Sequence, residues 1–378
     1  MEIDMRIAII TLPLHGNYGG ILQNYAMQTV LKRMGHTVET FQLPWELHQP
    51  LWRKPLAYGK RCIKKLLLRR DTRIFYEEWN NRIKPVLLRN MWRFISERIA
   101  VRRVKRFSDI REGEYDAFVV GSDQIWRPPY SYKPITQAYL DFAKNWKPVR
   151  RVAYAASFGT DAWEYTSKQT KQCAALVRLF DGVSVREEAA VKTCQEHLHC
   201  EALHVLDPTM LLKAEDYVSL FEGQSLEEPR GQLLTYVLDE TPEKSQIIRQ
   251  LADRHHYEVY RANSRYEDTF APLEERVQPS IEQWLKDFHE AKFVITDSFH
   301  ATVFSILFGK PFIVIGNAGR GLSRIHSLLR MFGLEVHLVH SLADLDLDRD
   351  YALDVERVNE VLKARRREAM EFLKNNLR

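Results

Sequence analysis

The opening of the chain constrains its fold more than any other segment. Residues 6–12 form a short apolar run that ends in a glycine-rich turn at residues 16–20. The apolar residues that follow recur at helical spacing up to Gly35, which stands where a helix C-cap glycine belongs, and residues 37–43 are typical of a second strand. Strand, glycine loop, helix and strand in this order indicate the beginning of a doubly wound parallel sheet.

The same alternation continues through most of the 378 residues. Further apolar runs of strand length occupy residues 116–121, 151–157, 182–185, 202–206, 232–238, 257–261, 293–296 and 311–315. Helical patterns occupy residues 242–255, 280–291, 299–308 and 323–332, and residues 355–377 predict an amphipathic helix with several basic residues. We therefore predict the α/β class, with two Rossmann-like domains facing a cleft in a GT-B-like arrangement.

The chain is long enough that two domains are the default expectation. We place an N-terminal α/β domain at residues 1–221 and a C-terminal α/β domain, which includes the final amphipathic helix, at residues 232–378. The polar residues 222–231 are typical of a linker. A basic segment at residues 51–106 interrupts the strand and helix alternation, and we interpret it as a helical insertion in the first domain.

The basic segment carries a strong local charge. It contains 18 Lys or Arg and four Asp or Glu, a net of +14 in a chain whose total is +5, so the remainder carries about −9. Such a block indicates an anionic partner, for which nucleic acid, a membrane surface and a phosphorylated lipid stay open. The interleaved leucines of residues 60–70 are typical of an interfacial helix, although a solvated basic helix covering a domain edge has the same pattern.

Composition and termini favour a cytoplasmic protein. The first residues lack the layout of a signal peptide, and no run approaches the roughly 18 apolar residues that a membrane-spanning helix needs. The four cysteines show no CxxC pair and no histidine at metal-binding spacing, so we expect reduced thiols and no metal site.

The sharpest candidate for chemistry follows the predicted strand at residues 293–296. Asp297, Ser298 and His300 occupy the carboxyl end of that strand and the first helical turn. Ligands of open α/β sheets bind there, and a helix N-terminus offers N–H groups and a partial positive charge to an anion. A histidine at this point can also exchange protons near neutral pH. The alternative is a helix cap from Asp297 or Ser298 beside a surface histidine.

Arginines mark two further loops at strand ends. Arg320 and Arg324 belong to a glycine-rich loop that is neither a Walker loop nor GxGxxG, and Arg186 follows the strand at residues 182–185. Guanidinium groups bind carboxylates and phosphates through a rigid fork of donors. The alternatives are surface arginines in a loop and, for Arg186, an ion pair with Glu187 or a neighbouring acid. The opening loop with Asn17, Tyr18 and Gly19 either holds a phosphate or only turns the chain.

Six segments together carry a family resemblance. They are Gly16-Asn-Tyr-Gly-Gly-Ile-Leu-Gln-Asn-Tyr25, Val120-Gly-Ser-Asp-Gln-Ile-Trp126, Tyr154-Ala-Ala-Ser-Phe-Gly159, Ser184-Val-Arg-Glu187, Leu206-Asp-Pro-Thr209 and Thr296-Asp-Ser-Phe-His-Ala-Thr302. In this order they resemble the polysaccharide pyruvyltransferase family, from Arg6 to about Gly333. Ala301 stands where the family usually has glycine.

The resemblance implies a function and a set of roles. It implies phosphoenolpyruvate as donor and co-substrate, with no other cofactor, and a pyruvate ketal formed on a hexose of a cell-surface polysaccharide such as a capsule or exopolysaccharide. The acceptor is often still linked to polyprenyl diphosphate, so an anionic membrane surface is a plausible partner and nucleic acid is not expected. His300 would be catalytic, and Arg186, Arg320, Arg324 and Ser298 would bind the donor. The second domain would be the donor side, and Arg186 would reach the cleft from the first domain.

The first domain would then be the acceptor side, with Asn17, Tyr18, Gly19, Asp123 and Gln124 as cleft-loop residues. The main alternative is a GT-B glycosyltransferase that uses a nucleotide sugar. A non-catalytic protein that binds nucleic acid through the basic segment is a second alternative, and the lack of any recognised nucleic-acid motif argues against it.

Overall fold

The computed structural model describes residues 4–44, 51–67, 73–317 and 321–378. Its first sheet has seven strands: β1 (Arg6–Ile10), β2 (Thr37–Gln42), β3 (Val101–Arg103), β4 (Ala117–Val120), β5 (Arg150–Ala156), β6 (Gly182–Val185) and β7 (Leu203–His204). All neighbours pair in parallel, in the order β3-β2-β1-β4-β5-β6-β7. Every residue of β4 is buried, as expected for a parallel strand covered on both faces.

The second sheet has five strands: β8 (Leu233–Tyr236), β9 (Val259–Arg261), β10 (Phe293–Thr296), β11 (Phe312–Ile315) and β12 (Leu338–Val339). They are also parallel, in the order β12-β11-β10-β8-β9. Two parallel sheets, one after the other along the chain, confirm the predicted α/β class with two Rossmann-like domains in a GT-B-like arrangement.

Thirteen α-helices connect and cover the strands in the described part of the chain. They are α1 (Tyr18–Arg33), α2 (Lys54–Leu66), α3 (Tyr76–Leu87), α4 (Arg89–Arg98), α5 (Ser167–Val177), α6 (Glu188–Thr193), α7 (Ala214–Val218), α8 (Pro242–His255), α9 (Leu273–Arg276), α10 (Ile281–Glu290), α11 (Phe299–Leu307), α12 (Leu322–Phe332) and α13 (Val355–Asn376). Several begin at a capping side chain, such as Thr166 before α5 and Ser280 before α10.

The strands that sequence patterns did not predict lie at sheet edges. β3 ends the basic segment and pairs with β2, and β12 has two residues. The basic segment is therefore mostly helical, with α2, α3 and α4, but its last part completes the first sheet. Edge strands this short carry too few residues for a periodic pattern to develop.

Packing between the two domains is extensive. One hydrophobic cluster runs through both, with Ile9 and Tyr18 from the first and Trp284 and Phe304 from the second. The rings of Tyr18 and Trp284 stack with centroids 5.3 Å apart. Among the described residues, no helix is both long enough and apolar enough to span a membrane.

Two helices, α4 and α13, join the domains. Helix α4 lies between them, where Arg93 forms an ion pair with Glu282 at 3.0 Å. Helix α13 follows the second sheet in the chain but returns to the first domain, where Arg366 donates to the carbonyls of Met210 and Leu212 at 2.7 and 2.6 Å. The cleft between the sheets is therefore bounded by helices that contact both domains.

Candidate active site

The site lies where the strand order of each sheet reverses. In the first sheet β1 and β4 are neighbours, and the loop after β4 carries Ser122 and Asp123. In the second sheet β8 and β10 are neighbours, and the loop after β10 leads into α11 with His300 in its first turn. Such switch points at the carboxyl ends of parallel strands are the usual ligand sites of α/β sheets.

His300 is held between the two domains. Its side chain is buried, and a Cβ at Gly19 would lie 2.0 Å from Nδ1 of His300, so the first turn of α1 packs directly on the imidazole. The ring of Phe299 lies beside that imidazole, edge to face, with centroids 5.2 Å apart. Among the described residues, Nε2 of His300 has no hydrogen-bond partner. A buried and unpaired ring nitrogen of this kind needs a ligand or water to satisfy it.

Asp207 faces that ring nitrogen. Its Oδ2 lies 3.6 Å from Nε2 of His300 and accepts from Ser122 Oγ at 3.2 Å. Its Oδ1 accepts from both the backbone N–H and the hydroxyl of Thr209, at 3.0 and 2.7 Å. The carboxylate is therefore fixed on several sides, and it presents negative charge to the imidazole.

Arg186 lies on the same carboxylate. Its Nη1 donates to Oδ2 of Asp207 at 2.7 Å, and its Nη2 donates to Oδ1 of Asp123 at 3.2 Å. The guanidinium carbon lies 4.4 Å from the ring centroid of Phe299, within cation–π range. The Nε–H of Arg186 has no acceptor among the described residues. Of the alternative partners for Arg186, Glu187 or a neighbouring acid, the structure shows the second: the ion pairs are with Asp123 and Asp207.

Arg324 brings a second cation to this cluster from the other domain. Its Nη1 lies 3.8 Å from Oδ1 of Asp123, and its guanidinium carbon lies 5.7 Å from the ring of Phe299. Burial, together with the like charge of Arg186, lowers the pKa of Arg324 to about 10. Two guanidinium groups are thus held close together in a buried cleft, an arrangement that favours an incoming anion.

The cations set the ionisation of both aspartates. Burial alone would raise the pKa of Asp207, but the neighbouring charges of His300 and Arg186 hold it far below its ordinary value. Burial also acts to raise the pKa of Asp123. The charges of Arg186, His300 and Arg324 outweigh burial and lower that pKa. Both carboxylates are therefore ionised at neutral pH, and Arg186 is held as a cation with its pKa raised by Asp207 and Asp123 in spite of its burial.

Two loops meet across the cleft beside the cluster. A Cβ at Gly321 would lie 2.0 Å from the carbonyl oxygen of Gly159, and both glycines have positive φ, of 79° and 72°. The Gly159 loop is held by Glu187, whose Oε1 accepts from Ser157 Oγ at 2.8 Å and from the backbone N–H of Phe158 at 2.9 Å. The strand ends of the first sheet thus reach the loop that precedes α12.

Asp297 organises the neighbouring loop and does not cap α11. Its carboxylate accepts from the backbone N–H groups of Leu238 and Asp239 at 2.7 and 3.1 Å, and it pairs with Lys244 at 2.7 Å. Ser298 stands at the N-cap position of α11, where its side chain makes no capping bond to the described residues. The first N–H groups of α11 consequently keep the unpaired donors that a helix N-terminus presents.

The remaining predicted residues fall into different places. Asn17 caps α1 by accepting from the backbone N–H of Gly20 at 3.1 Å. Tyr18 is fully buried and donates to the carbonyl of Pro279 at 2.8 Å, so it joins the domains and does not line the cleft. Gln124 accepts from Arg127 at 3.1 Å and contacts Gly159. Arg320 lies outside the described residues.

No metal-binding cluster is found in residues 4–44, 51–67, 73–317 and 321–378, as judged by groups of three or more His, Cys, Asp or Glu side chains. The four cysteines are free, and Cys173 and Cys194 are buried. The chemistry available to the site from these residues is therefore that of one histidine, two arginines and two ionised aspartates.

The sequence patterns did not assign a role to Asp207 or to Phe299. Asp207 belongs to the segment Leu206-Asp-Pro-Thr209, which follows a strand of two residues. Its position beyond the end of that strand was the one sequence feature that indicated a place in the cleft. Phe299 is an apolar residue in a helix, where a core position is the ordinary expectation. Its contact with Arg186 depends on the other domain, whereas its contact with Arg324 lies within its own.

Comparison with known proteins agrees with the resemblance to the polysaccharide pyruvyltransferase family. The family model of polysaccharide pyruvyl transferase matches residues 17–319, and this chain belongs to that family. No curated protein matches the chain significantly.

Solved structures with similar chains include the glycotransferase of kitacinnamycin, at 14% identity and a TM-score of 0.45 over 99% of both chains. A UDP-GlcNAc 2-epimerase from Neisseria meningitidis is similar at 7% identity and a TM-score of 0.43, over 95% of this chain and 99% of that one.

Proposed function

We propose that this transferase moves a pyruvyl group from phosphoenolpyruvate to a hexose of a cell-surface polysaccharide or of its lipid-linked precursor, where it forms a cyclic ketal. The observation that supports this most directly is the pair of buried guanidinium groups beside an unpaired imidazole nitrogen. Phosphoenolpyruvate carries a carboxylate and a phosphate close together, which suits two forked cations and a proton donor.

The donor would lie between the two domains. Arg324 and the N-terminus of α11, including Ser298, would face its anionic groups, and the Nε–H of Arg186 supplies a further donor. Arg320 is proposed as an additional donor-binding cation on sequence grounds alone. Because Arg186 already bonds two aspartates, its main effect would be to offset their negative charge and to fix their positions, with Nε directed to the ligand.

The chemistry then needs one acid/base group and a stabilised leaving group. A proton is added to C3 of the enol, which makes C2 electrophilic, and a sugar hydroxyl attacks C2 while it loses its proton. The C2–O bond to phosphate breaks, phosphate leaves with the electron pair, and a second hydroxyl of the same sugar closes the ring and releases its proton. His300 is proposed as the group that carries protons in these steps, contributing about 10²–10⁴-fold. The arginines would stabilise the charge that builds on phosphate.

Asp207 is proposed as the positioning residue for His300. Its carboxylate is fixed by Ser122 and Thr209, and its charge lies 3.6 Å from Nε2. The contact would hold the imidazole in one orientation toward the substrates.

The acceptor would approach from the first domain. The cleft-loop residues Gly19, Asp123 and Gln124 line the approach to His300 from that side, with Asn17 at the start of α1. The acceptor proposed is a hexose-containing glycan linked to polyprenyl diphosphate, and the reaction would then take place at the inner face of the cell membrane, on its cytoplasmic side. No cofactor other than the co-substrate is proposed.

The proposal is tested by thermal unfolding with phosphoenolpyruvate, inorganic phosphate and common nucleotide sugars as separate ligands. A ligand at a hundred times its Kd should add about 2.7 kcal/mol to the free energy of unfolding, which is a shift of several degrees in Tm. We expect phosphoenolpyruvate to stabilise the protein and the nucleotide sugars not to. The opposite pattern would make the protein a glycosyltransferase.

Three variants define the site in the same assay. Arg324→Ala should lose the stabilisation by phosphoenolpyruvate, and Arg186→Lys, which keeps the charge but not the fork, should weaken it. Arg150→Ala is the matched control, since Arg150 pairs with Asp181 on the surface of the first sheet. His300→Ala should bind the donor yet fail to turn over, and a rate above about a tenth of wild type would remove His300 from its role.

A further inference from the structure

Helix α2 is unusual in having no buried residue. One face of it is nevertheless anchored, because three of its side chains bond to α3. Lys54 pairs with Glu78 at 3.0 Å, Tyr58 donates to the same carboxylate at 2.6 Å, and Arg61 donates to Glu77 at 2.6 Å. The helix is thus held in a defined orientation by polar contacts, without an apolar core beneath it.

The opposite face is apolar and exposed. Leu56, Ile63 and Leu67 are 66, 54 and 77% exposed, and they follow one another at spacings of seven and four residues, so they share one side of the helix. Trp52 and Leu66 extend the patch at its two ends and are 73 and 76% exposed. Proteins that meet only water rarely expose a contiguous apolar patch, so this face points to a partner.

Basic side chains flank the apolar stripe. Lys60 lies between Leu56 and Ile63 on the outer face, and Lys64 lies at the edge of that face in the last turn, whereas Lys65 lies on the opposite side of the helix; all three are exposed. In the described part of the chain, α2 forms ion pairs with Glu77 and Glu78 of α3, and both carboxylates lie on its anchored side. The outer face therefore combines positive charge with hydrocarbon, the pattern of a helix that lies in the headgroup region of an anionic bilayer.

The anchoring helix also reaches the cleft. Lys84 of α3 lies close to His15, whose pKa is lowered to about 4 by burial and by the charge of that lysine. Leu88, just after α3, lies against Gly16, since a Cβ there would lie 3.1 Å from its side chain. The segment of residues 15–19 ends at Gly19, the glycine that packs on His300. A membrane bound at α2 would therefore lie on the side of the molecule where the acceptor is proposed to enter.

We propose that the outer face of α2 is a docking surface for an anionic lipid bilayer. The apolar stripe enters the headgroup boundary, and the lysines remain at the level of the lipid phosphates. The docking itself depends on α2 alone, whereas its purpose, access to a lipid-linked acceptor, rests on the proposed function.

The test is co-sedimentation of the full-length protein with vesicles of phosphatidylcholine alone or with phosphatidylglycerol added. We expect binding to the anionic vesicles, falling as salt rises. The variant Lys60→Ala/Lys64→Ala/Lys65→Ala should bind on the order of a hundredfold more weakly, from about 1 kcal/mol for each lysine. The variant Leu56→Ser/Ile63→Ser/Leu67→Ser should lose at least about tenfold, since it removes the apolar part of the contact.

A matched control removes three exposed cations elsewhere. Lys168, Lys171 and Arg178 lie on or next to α5, and their triple alanine variant should bind vesicles as the wild type does. Equal binding to both kinds of vesicle, or equal loss in the control, would overturn the proposal. So would binding to a DNA duplex or self-association that disappears in the α2 variants while vesicles are not bound.

The thermal-shift response to phosphoenolpyruvate is measured on the same variants. It separates the two proposals, because α2 variants that lose vesicle binding should keep the wild-type response. A protein that binds vesicles through α2 but does not respond to phosphoenolpyruvate would contradict the proposed function and leave the docking surface standing.

Discussion

Nε2 of His300 lies 3.6 Å from Oδ2 of Asp207, although the two residues come from different domains. Asp207 follows the last strand of the first sheet, and His300 follows a central strand of the second. The pair therefore forms only when the domains are closed on each other. With the proposed role of His300, catalysis and domain closure would depend on the same contact.

Asp207→Asn tests this contact. The change keeps the shape of the side chain but removes its charge, so His300 loses the carboxylate beside Nε2 and Arg186 loses one of its two ion-pair partners. We expect kcat to fall by on the order of 10²–10⁴, with a much smaller change in KM. We also expect a loss of about 3 kcal/mol in the free energy of unfolding, because a buried ion pair is broken.

The comparison variant for Asp207 is Asp181→Asn. Asp181 pairs with Arg150 at 2.7 Å, but both side chains are partly exposed, so its loss should cost less than about 1 kcal/mol and leave the rate unchanged. If Asp207→Asn lowers stability but the folded protein keeps the wild-type kcat, Asp207 has only a structural role.

Gly19→Ala should inactivate the enzyme with little effect on α1. A Cβ at this position would lie 2.0 Å from Nδ1 of His300, so the imidazole has to move, whereas alanine favours the helix itself. Gly20→Ala is the matched control, because its Cβ would meet the nearest atom, of Asn17, at 3.5 Å. We expect turnover to fall at least about a hundredfold in the first variant and to stay near wild type in the second. Equal turnover rates in the two variants would mean that catalysis does not depend on the present position of the His300 imidazole.

Gly321→Ala tests the contact between the two loops. The φ of 79° strains any other residue, and a Cβ would lie 2.0 Å from the carbonyl oxygen of Gly159. Gly223→Ala has a similar φ of 74° with nothing within 4 Å of the added atom, so it reports the strain alone, about 1 kcal/mol. We expect Gly321→Ala to cost more stability than this control and to weaken donor binding. Identical thermal shifts for both variants would contradict the loop contact.

Asp287→Asn should stabilise the protein in a pH-dependent way. Burial raises the pKa of Asp287 to about 6, since its hydrogen bond from Gln283 at 2.9 Å offsets the effect only in part. The folded state thus binds a proton more tightly than the unfolded chain, and stability is lost as pH rises from about 4 through about 6. At about pH 7.5 the variant should gain about 2 kcal/mol, and near pH 4 almost nothing.

The measurement for Asp287 is urea unfolding at a series of pH values. Asp253→Asn, an exposed change on α8, is the reference and should show a difference from wild type that does not vary with pH. A gain in Asp287→Asn that is the same at both ends of the series would rule out burial of the charge as its cause.

Sequence patterns predicted the central elements closely and the edges poorly. Gly182–Val185, Phe293–Thr296 and Pro242–His255 were predicted with the bounds that β6, β10 and α8 have. Continuous apolar runs and clear capping residues carry enough local information for that. β3 and β12 were missed because their place depends on a neighbouring strand and not on their own residues.

The site shows the same division between local and distant information. His300 could be placed from its strand end, because that position is local. The partners of Arg186 could not, because Asp123 and Asp207 come from two other loops and compete with the adjacent Glu187. Tyr18 was misleading for a related reason, since a residue in a loop motif turned out to join the domains through Pro279.

Helix α13 has a consequence for how the protein is made. Its residues Arg366 and Asn376 lie against Met210, Leu212 and Gly182, more than 150 positions earlier in the chain. The first domain is therefore synthesised early but stays open on that side until α13 has left the ribosome. During translation the apolar surface that α13 covers stays exposed to solvent. A chain that ends before α13 therefore has two incomplete domains, not one complete domain and one missing domain.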